Sequence, residues 1–256
     1  MFFNAPNKSV LAVVTNYGFS AAADDQKAEL GKHFDTILID SSSPTPPVEA
    51  DIVIPNRYYP GLWNSAVEAT LAGHYEWLLF VASDIQISNF GELAGFIKSA
   101  CAQRYIGLYT PSLTLDSRLA FPACFSRNTG TLRECFICEG FFFLVRTKIV
   151  SRLYPVDQLI NVYGWGIDVF TAYTTYLMGY RAVVDDRVQI HHPAAIHDIS
   201  IEDAEAQAAR YKTPGAHRFA TWSNSQLRHR QKNEQRFAEM GAKIAHARWR
   251  MREWLR

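Results

Sequence analysis

Residues 61–85 read GLWNSAVEATLAGHYEWLLFVASDI, and two kinds of element meet inside them. Residues 61–73 read as a helix, whereas Trp77 to Val81 is an unbroken apolar run that ends in Ser83-Asp84 and reads as a strand. The same alternation extends outward on both sides. Val10 to Val14 predicts a buried strand, 21–33 a helix, Thr36 to Ile39 a strand ending at Asp40, Asp51 to Ile54 a strand, and 90–102 a helix. Strands and helices in that order predict an α/β fold around a mixed, mainly parallel sheet. In open sheets of this kind the ligand crevice lies beyond the carboxyl ends of the strands. Thr15, Asn16, Asp40, Ser41, Asn56 and Asp84 fall at those ends. Each alone also suits a turn, and it is their convergence that marks a cleft.

The second half has a weaker pattern. Residues 109–134 show no period and read as a long loop, of the sort that is usually functional or mobile. Cys135 to Val145 reads as one strongly apolar strand, 147–153 and 167–178 as helices, and Arg181 to His192 as a strand pair or one long strand. Residues 223–256 carry Phe237, Met240, Ile244, Ala247, Met251 and Trp254 in one stripe, with basic residues over much of the remainder. The expected organisation is a domain over 1–200 and a helical basic extension over 201–256.

Composition bounds the function classes. The chain has 256 residues, 48 % hydrophobic and 20 % charged, which describes a globular protein and excludes disordered, collagen-like and coiled-coil classes. The formal charge of +1 divides unevenly. From residue 207 onward twelve Lys and Arg face three Glu, leaving the body acidic. An acidic body argues against nucleic-acid binding, while the tail suits an anionic surface. Packing of the tail on the body or on a subunit is the competing reading. Four cysteines are too few for a disulfide scaffold. Cys135-x-x-Cys138 lies in the apolar run, where alternation would send its side chains to opposite faces, and it reads as ordinary buried thiols. MFFNAPNKSV lacks the pattern of a signal peptide, and no window matches a membrane span. A cytoplasmic protein is expected, with peripheral membrane attachment through the tail as an option.

Missing motifs narrow the chemistry. The sequence has no G-x-x-x-x-G-K-[ST], no G-x-G-x-x-G after the first strand, no G-x-S-x-G and no H-E-x-x-H. Thr15-Asn16-Tyr17-Gly18 is not the Gly-rich loop of a sugar nucleotidylyltransferase. The ordered set LAVVTNYG (11–18), TILIDSSSP (36–44), IPNRYYPGLWNSAVEATLAGHYEWLLFVASDIQI (54–87), CEGFFFLVRTKIV (138–150) and YGWGIDVFTAYTTYLMGYRAVVDDRVQIHHP (163–193) resembles GT-A glycosyltransferases, particularly the inverting, family 2-like group. The resemblance covers about residues 10–193.

That resemblance implies a GT-A fold and transfer of a hexose or N-acetylhexosamine from a nucleotide sugar, UDP before others, to a saccharide or lipid-linked saccharide. Thr15, Asn16 and Asp40 correspond to residues that hold the nucleoside, and Asn56 and Asn64, around Gly61, to the donor-binding helix entry. Ala82-Ser83-Asp84 stands at the D-x-D motif, whose carboxylates hold Mn2+ or Mg2+ against the donor diphosphate. Here the first Asp is Ala82 and one carboxylate remains. His192, with His191 as alternative, corresponds to a metal or diphosphate ligand, and imidazole would complete a mixed N/O site with Asp84. Asp168 matches the last acidic residue of an E-D signature in which Ile167 replaces Glu, and is the expected base. Glu139 is the reserve base and, with Gly140 and Trp165, is placed on the acceptor side. Arg146 is weighed as a phosphate contact or a surface residue, and Asp185-Asp186 as a turn. The rival is a catalytically silent nucleotide-sugar-binding or scaffold subunit.

Overall fold

Val10, Leu11, Ala12, Val13 and Val14 are all buried, as a strand covered on both faces requires, and they form the middle of β1 (Lys8–Asn16). The computed structural model describes residues 8–118, 121–193 and 200–211. After β1 come α1 (Ser20–Gly31), β2 (Asp35–Asp40), β3 (Ile52–Val53), α2 (Tyr58–Ala72), β4 (Tyr75–Ala82), β5 (Gln86–Ile87), α3 (Phe90–Cys101) and β6 (Ile106–Leu113). Then follow β7 (Leu132–Cys135), β8 (Phe142–Arg146), α4 (Thr147–Val150), α5 (Ile167–Leu177), β9 (Arg181–His191) and α6 (Ile201–Tyr211). The chain divides into two units, Met1–Ala216 and His217–Arg256, and every described residue belongs to the first.

The strands run in the order β3-β2-β1-β4-β8-β6-β9-β5, with β7 beside β9. The β3-β2-β1-β4 half is parallel. Antiparallel β8 joins it to β6, which pairs in parallel with β9. The helix and strand of residues 61–85 pack as their sequence predicts, Trp63 of α2 lying against Phe80 of β4 and Phe143 of β8 at centroid distances of 5.9 and 5.5 Å. All three rings are buried.

One amide ties the carboxyl ends of three parallel strands together. Asn16, fully buried, donates to Asp40 Oδ1 (2.8 Å) and Ser43 Oγ (3.0 Å), and its own Oδ1 accepts from Ser83 Oγ (2.7 Å) and from the Phe19 N–H (3.0 Å). Asp40 also accepts from Ser43 N (2.9 Å) and Ser43 Oγ (2.6 Å).

Four expectations are corrected. Residues 109–134 are not one loop. Tyr109 to Leu113 belong to fully buried β6, and Leu132 to Cys135 form β7. Pro111 hid the strand, and it is accommodated because the β6–β9 register shifts between Pro111 and Ser112. The apolar run 135–145 is not one strand either. It breaks after Cys135 and resumes at Phe142, and the turn between them carries Glu139. The three thiols of Cys124, Cys135 and Cys138 therefore gather instead of facing apart, with Cys135 bonded to both others. Asp185 and Asp186 form no turn but lie buried inside β9. Arg187 grips Asp185 with two donors at 2.7 Å, and Arg133 pairs with Asp186 at 2.9 Å. Arg146 is neither a surface residue nor a phosphate ligand. It is buried where β8 meets the start of β4, donating to Ile106 O and Glu76 and lying 4.2 Å from the Trp77 ring centroid. Among the described residues no helix is long and apolar enough to cross a membrane. The helix expected over 223–256 lies outside the described residues.

Removing the Asn16 amide leaves several buried groups unpaired, each costing about 1–3 kcal/mol, and charged or networked groups more. Asn16→Ala is expected to lower unfolding free energy by about 3 kcal/mol, read from urea midpoints. A loss below half a kcal/mol would exclude a structural role for the network.

Candidate functional site

A two-residue strand and the end of an eleven-residue one build the polar half of the site. β5 pairs antiparallel with the end of β9, Gln86 opposite His191 and Ile87 opposite Ile190. The register carries Asp84, two residues before Gln86, to His192, one residue beyond His191. His192 Nε2 lies 3.4 Å from Asp84 Oδ2. His192 Nδ1 is 2.8 Å from the carbonyl of Arg118. A carbonyl only accepts, so Nδ1 carries the proton and Nε2 is the atom offered to Asp84. The other Asp84 oxygen, Oδ1, is buried without a hydrogen-bond partner. Burial works against the His192 imidazolium, but the Asp84 carboxylate and the Arg118 carbonyl outweigh it and raise the pKa. Gln26 of α1, buried, donates to the carbonyls of Ser83 (3.3 Å) and Ile85 (2.9 Å), and so fixes the turn that holds Asp84. Ser117 fixes the other side by accepting from the His192 N–H at 3.0 Å.

This pair fits a divalent cation. A metal-binding imidazole typically donates its second N–H to a carbonyl or carboxylate, as His192 does, and an unpartnered carboxylate oxygen stands beside it. Asp84 and His192 are the two candidate ligands here, and among the described residues no group of three His, Cys, Asp or Glu could hold a metal ion.

His192 also belongs to the wall of a cavity of about 560 Å3. Its ring stacks on Phe141, centroids 4.1 Å apart and planes nearly parallel. Asp168, in the first turn of α5, lines the same cavity. Its Oδ1 accepts from the Val169 N–H at 2.7 Å. Glu139, on the turn before β8, lines it too and is buried, accepting from the Phe121 N–H. Burial first, and then the charge of Asp168, push the Glu139 carboxyl well above the usual carboxylate range. Glu139 is thereby driven toward its neutral form.

The loop before α5 is shaped by Asn161, which is fully buried. Its amide donates to the Trp165 carbonyl (3.1 Å) and accepts from the Gly164 N–H (2.9 Å). Gly164 has φ +80°, and a Cβ there would meet Tyr59 at 2.7 Å, so both conformation and space exclude a side chain. Gly166, at φ +89°, caps α5. Pinned between these glycines, Trp165 stands 36 % exposed on the cavity lining. Tyr59 closes the floor by donating to the Gly140 carbonyl at 2.6 Å.

The sequence-predicted residues thus separate into groups. Asp84, Glu139, Gly140, Trp165, Asp168 and His192 share this region. Strand alternation turns His191 to the other side, where it meets Thr114 Oγ1 at 2.9 Å and Asp116 at 3.3 Å. Thr15, Asn16, Asp40 and Ser83 do lie at the strand ends, but buried, with their side chains bonded within the protein. Asn64 is committed to the backbone of Val156, giving and accepting bonds of 2.9 Å. Asn56 is exposed at the mouth of α2 and accepts from Ser41 Oγ and the Tyr58 N–H. Sequence reading missed Gln26, Tyr59, Ser117 and Asn161. Of these only Asn161 left a trace, as a turn residue opening N-x-x-G-x-G.

No protein-family model matches the chain, and no curated protein matches it. Solved structures do. GalNAc-T7 with UDP, GalNAc and Mn2+ is 10 % identical, with a TM-score of 0.55 over 82 % of this chain. Glucosyl-3-phosphoglycerate synthase from Mycobacterium tuberculosis, in complex with phosphoglyceric acid, is 11 % identical, with a TM-score of 0.51 over 80 % of this chain and 77 % of its own. The chain spans about half the length of GalNAc-T7, 48 %. At this identity the likeness is one of fold, and the fold is GT-A.

Because Glu139 holds its proton more tightly folded than unfolded, its contribution to stability is complete below the ordinary glutamate value of about 4.3. It is lost as pH rises from there through the raised value. Glu139→Gln is expected to flatten the fall in Tm over that interval relative to the unaltered protein. Parallel Tm profiles for the two proteins would show that Glu139 is not held neutral.

Proposed function

We propose that this protein is a glycosyltransferase that moves a hexose or N-acetylhexosamine from a nucleoside-diphosphate sugar, UDP before others, to an acceptor hydroxyl with inversion. The observation that carries this reading is that one cavity is lined both by the Asp84-bonded His192 and by Asp168. Such a combination can stabilise a leaving diphosphate and deprotonate a nucleophile within one site.

In this reading the nucleotide lies over the carboxyl ends of β1, β2 and β4. Asn16, Asp40, Ser83 and Thr15 set the shape of that floor from beneath, Asn64 anchors α2, and Asn56 offers an exposed amide. Asp84 and His192 are the residues that would hold Mn2+ or Mg2+, which supplies positive charge against that developing on the departing diphosphate. Trp165 stacks on the acceptor ring while Glu139 and the Gly140 turn close its far side. Asp168 takes the proton from the acceptor hydroxyl as that oxygen bonds to the anomeric carbon and the bond to the diphosphate oxygen breaks. GalNAc-T7, with UDP and Mn2+ in its solved structure, supports a UDP-sugar and a metal for this chain. A lipid-linked acceptor and a peripheral place on the cytoplasmic face of a membrane rest on the charge of the tail.

Nucleotide sugars of the UDP, GDP, dTDP and CMP classes, each with and without Mn2+, are expected to raise Tm for one class, with the metal required. Because metal and proton compete for His192, the metal-dependent rise should shrink as pH falls. A rise that ignores the metal would remove Asp84 and His192 as its ligands. Asp168→Asn should cut turnover at least a hundredfold while the donor-induced rise in Tm persists; undiminished turnover would sink its assignment as base. Ala82 in the D-x-D position favours a second reading, a silent nucleotide-sugar-binding subunit, and donor binding without transfer to any acceptor would select it. Deleting residues 223–256 should abolish sedimentation with anionic vesicles, and unchanged sedimentation would end the membrane reading.

A further inference from the structure

Two kinds of side chain predominate in the described cavity lining. Rings come from Tyr59, Phe121, Phe141, Tyr163 and Trp165, and carboxyls from Glu139, Asp168 and Glu205. Among the described residues of the lining, His192 alone can carry positive charge, and both its nitrogens are engaged, Nδ1 by the Arg118 carbonyl and Nε2 by Asp84. Among the described residues of the lining there is no Lys or Arg to meet an anion.

An anionic substituent brought into this space away from His192 would lose water without meeting a Lys or Arg of the described lining, and would face the Asp168 carboxylate. A hydroxylated ring meets the opposite situation. Aromatic faces accept its apolar C–H surface. The Glu139 carboxyl, held toward its neutral form by burial and by Asp168, offers an O–H donor besides its acceptor oxygens. Exclusion of the wrong substrate by unpaired like charge is as effective a source of specificity as attraction of the right one.

We propose that the cavity takes an acceptor sugar ring that bears no carboxylate or phosphate, and that Asp168 and Glu205 exclude uronates and sugar phosphates from it. This rests on the glycosyltransferase reading of the same site and names the acceptor class within it.

The test uses matched pairs that differ at one carbon. Phenyl β-glucopyranoside is compared with phenyl β-glucopyranosiduronic acid, and the galacto pair likewise, by calorimetry and saturation-transfer NMR on the full chain at pH 7.5. The uncharged member should bind at least tenfold more tightly in one or both configurations. Asp168→Asn, with its fold checked by Tm, should narrow that ratio, because the repelling charge is gone. A uronate that binds as well as its neutral partner would overturn the proposal, as would a ratio that Asp168→Asn leaves unchanged. If neither member binds in either configuration while a nucleotide sugar raises Tm, the acceptor proposal fails and the donor reading stands. Selective binding of the uncharged glycoside without any nucleotide-sugar effect would instead retain the cavity's preference and discard the transferase.

Discussion

The Asn16 side chain is the constraint on which the cleft depends. Three parallel strands end side by side, and their last residues must turn away without leaving buried polar groups unsatisfied. One amide meets that need by bonding to the Asp40 carboxylate after β2, the Ser43 hydroxyl beyond it and the Ser83 hydroxyl after β4. The consequence reaches the chemistry through Ser83, whose neighbour is Asp84. Gln26 then secures the same turn from the helix side. The polar residues nearest the proposed nucleotide are in this sense scaffold, and the reactive groups lie one residue further along.

The acceptor side is built by a different device. There the chain is held open by glycines and closed by aromatic rings, with Asn161 fixing the peptide groups between Gly164 and Trp165. Tyr59 serves both walls, donating to the Gly140 carbonyl while filling the space that a Cβ at Gly164 would need. Its hydroxyl is held well above the ordinary tyrosine pKa by burial and by the charge of Asp168, so it remains a donor. The peptide groups around Trp165 are therefore held in place by hydrogen bonds, and burial and the nearby Asp168 carboxylate push Glu139 toward its neutral form.

Much of the parallel half was legible because its residues obey one rule at a time. The β1, β2 and β4 runs are apolar throughout and end in polar residues, and α1, α2 and α3 lie close to their expected positions. Legibility failed where two rules collided. Pro111 reads as a strand breaker, yet a register shift in the pairing with β9 accommodates it. The 135–145 run looks continuous because Glu139 is the only charge between apolar stretches, and nothing local says that the chain must turn to aim it. Asp185 and Asp186 look like a turn because their partners, Arg133 and Tyr109, are distant in sequence. The site shows the same division. Asp84, His192 and Asp168 stood out by type and position, whereas Gln26, Ser117 and Asn161 act through backbone groups that no sequence spacing reveals.

The pairing of β5 with β9 has a consequence for how the molecule comes into being. Gln86 and His191 are about a hundred residues apart, so the two-residue strand that seats Asp84 beside His192 must close one of the longest loops in the first unit. So short a ladder yields few bonds against that closure entropy, and it cannot form early by itself. The β1–β2–β4 core, assembled from nearer neighbours, precedes it on the folding route. During synthesis, the strand ends proposed to face the nucleotide would thus be in place before the residues that would grip a metal have met.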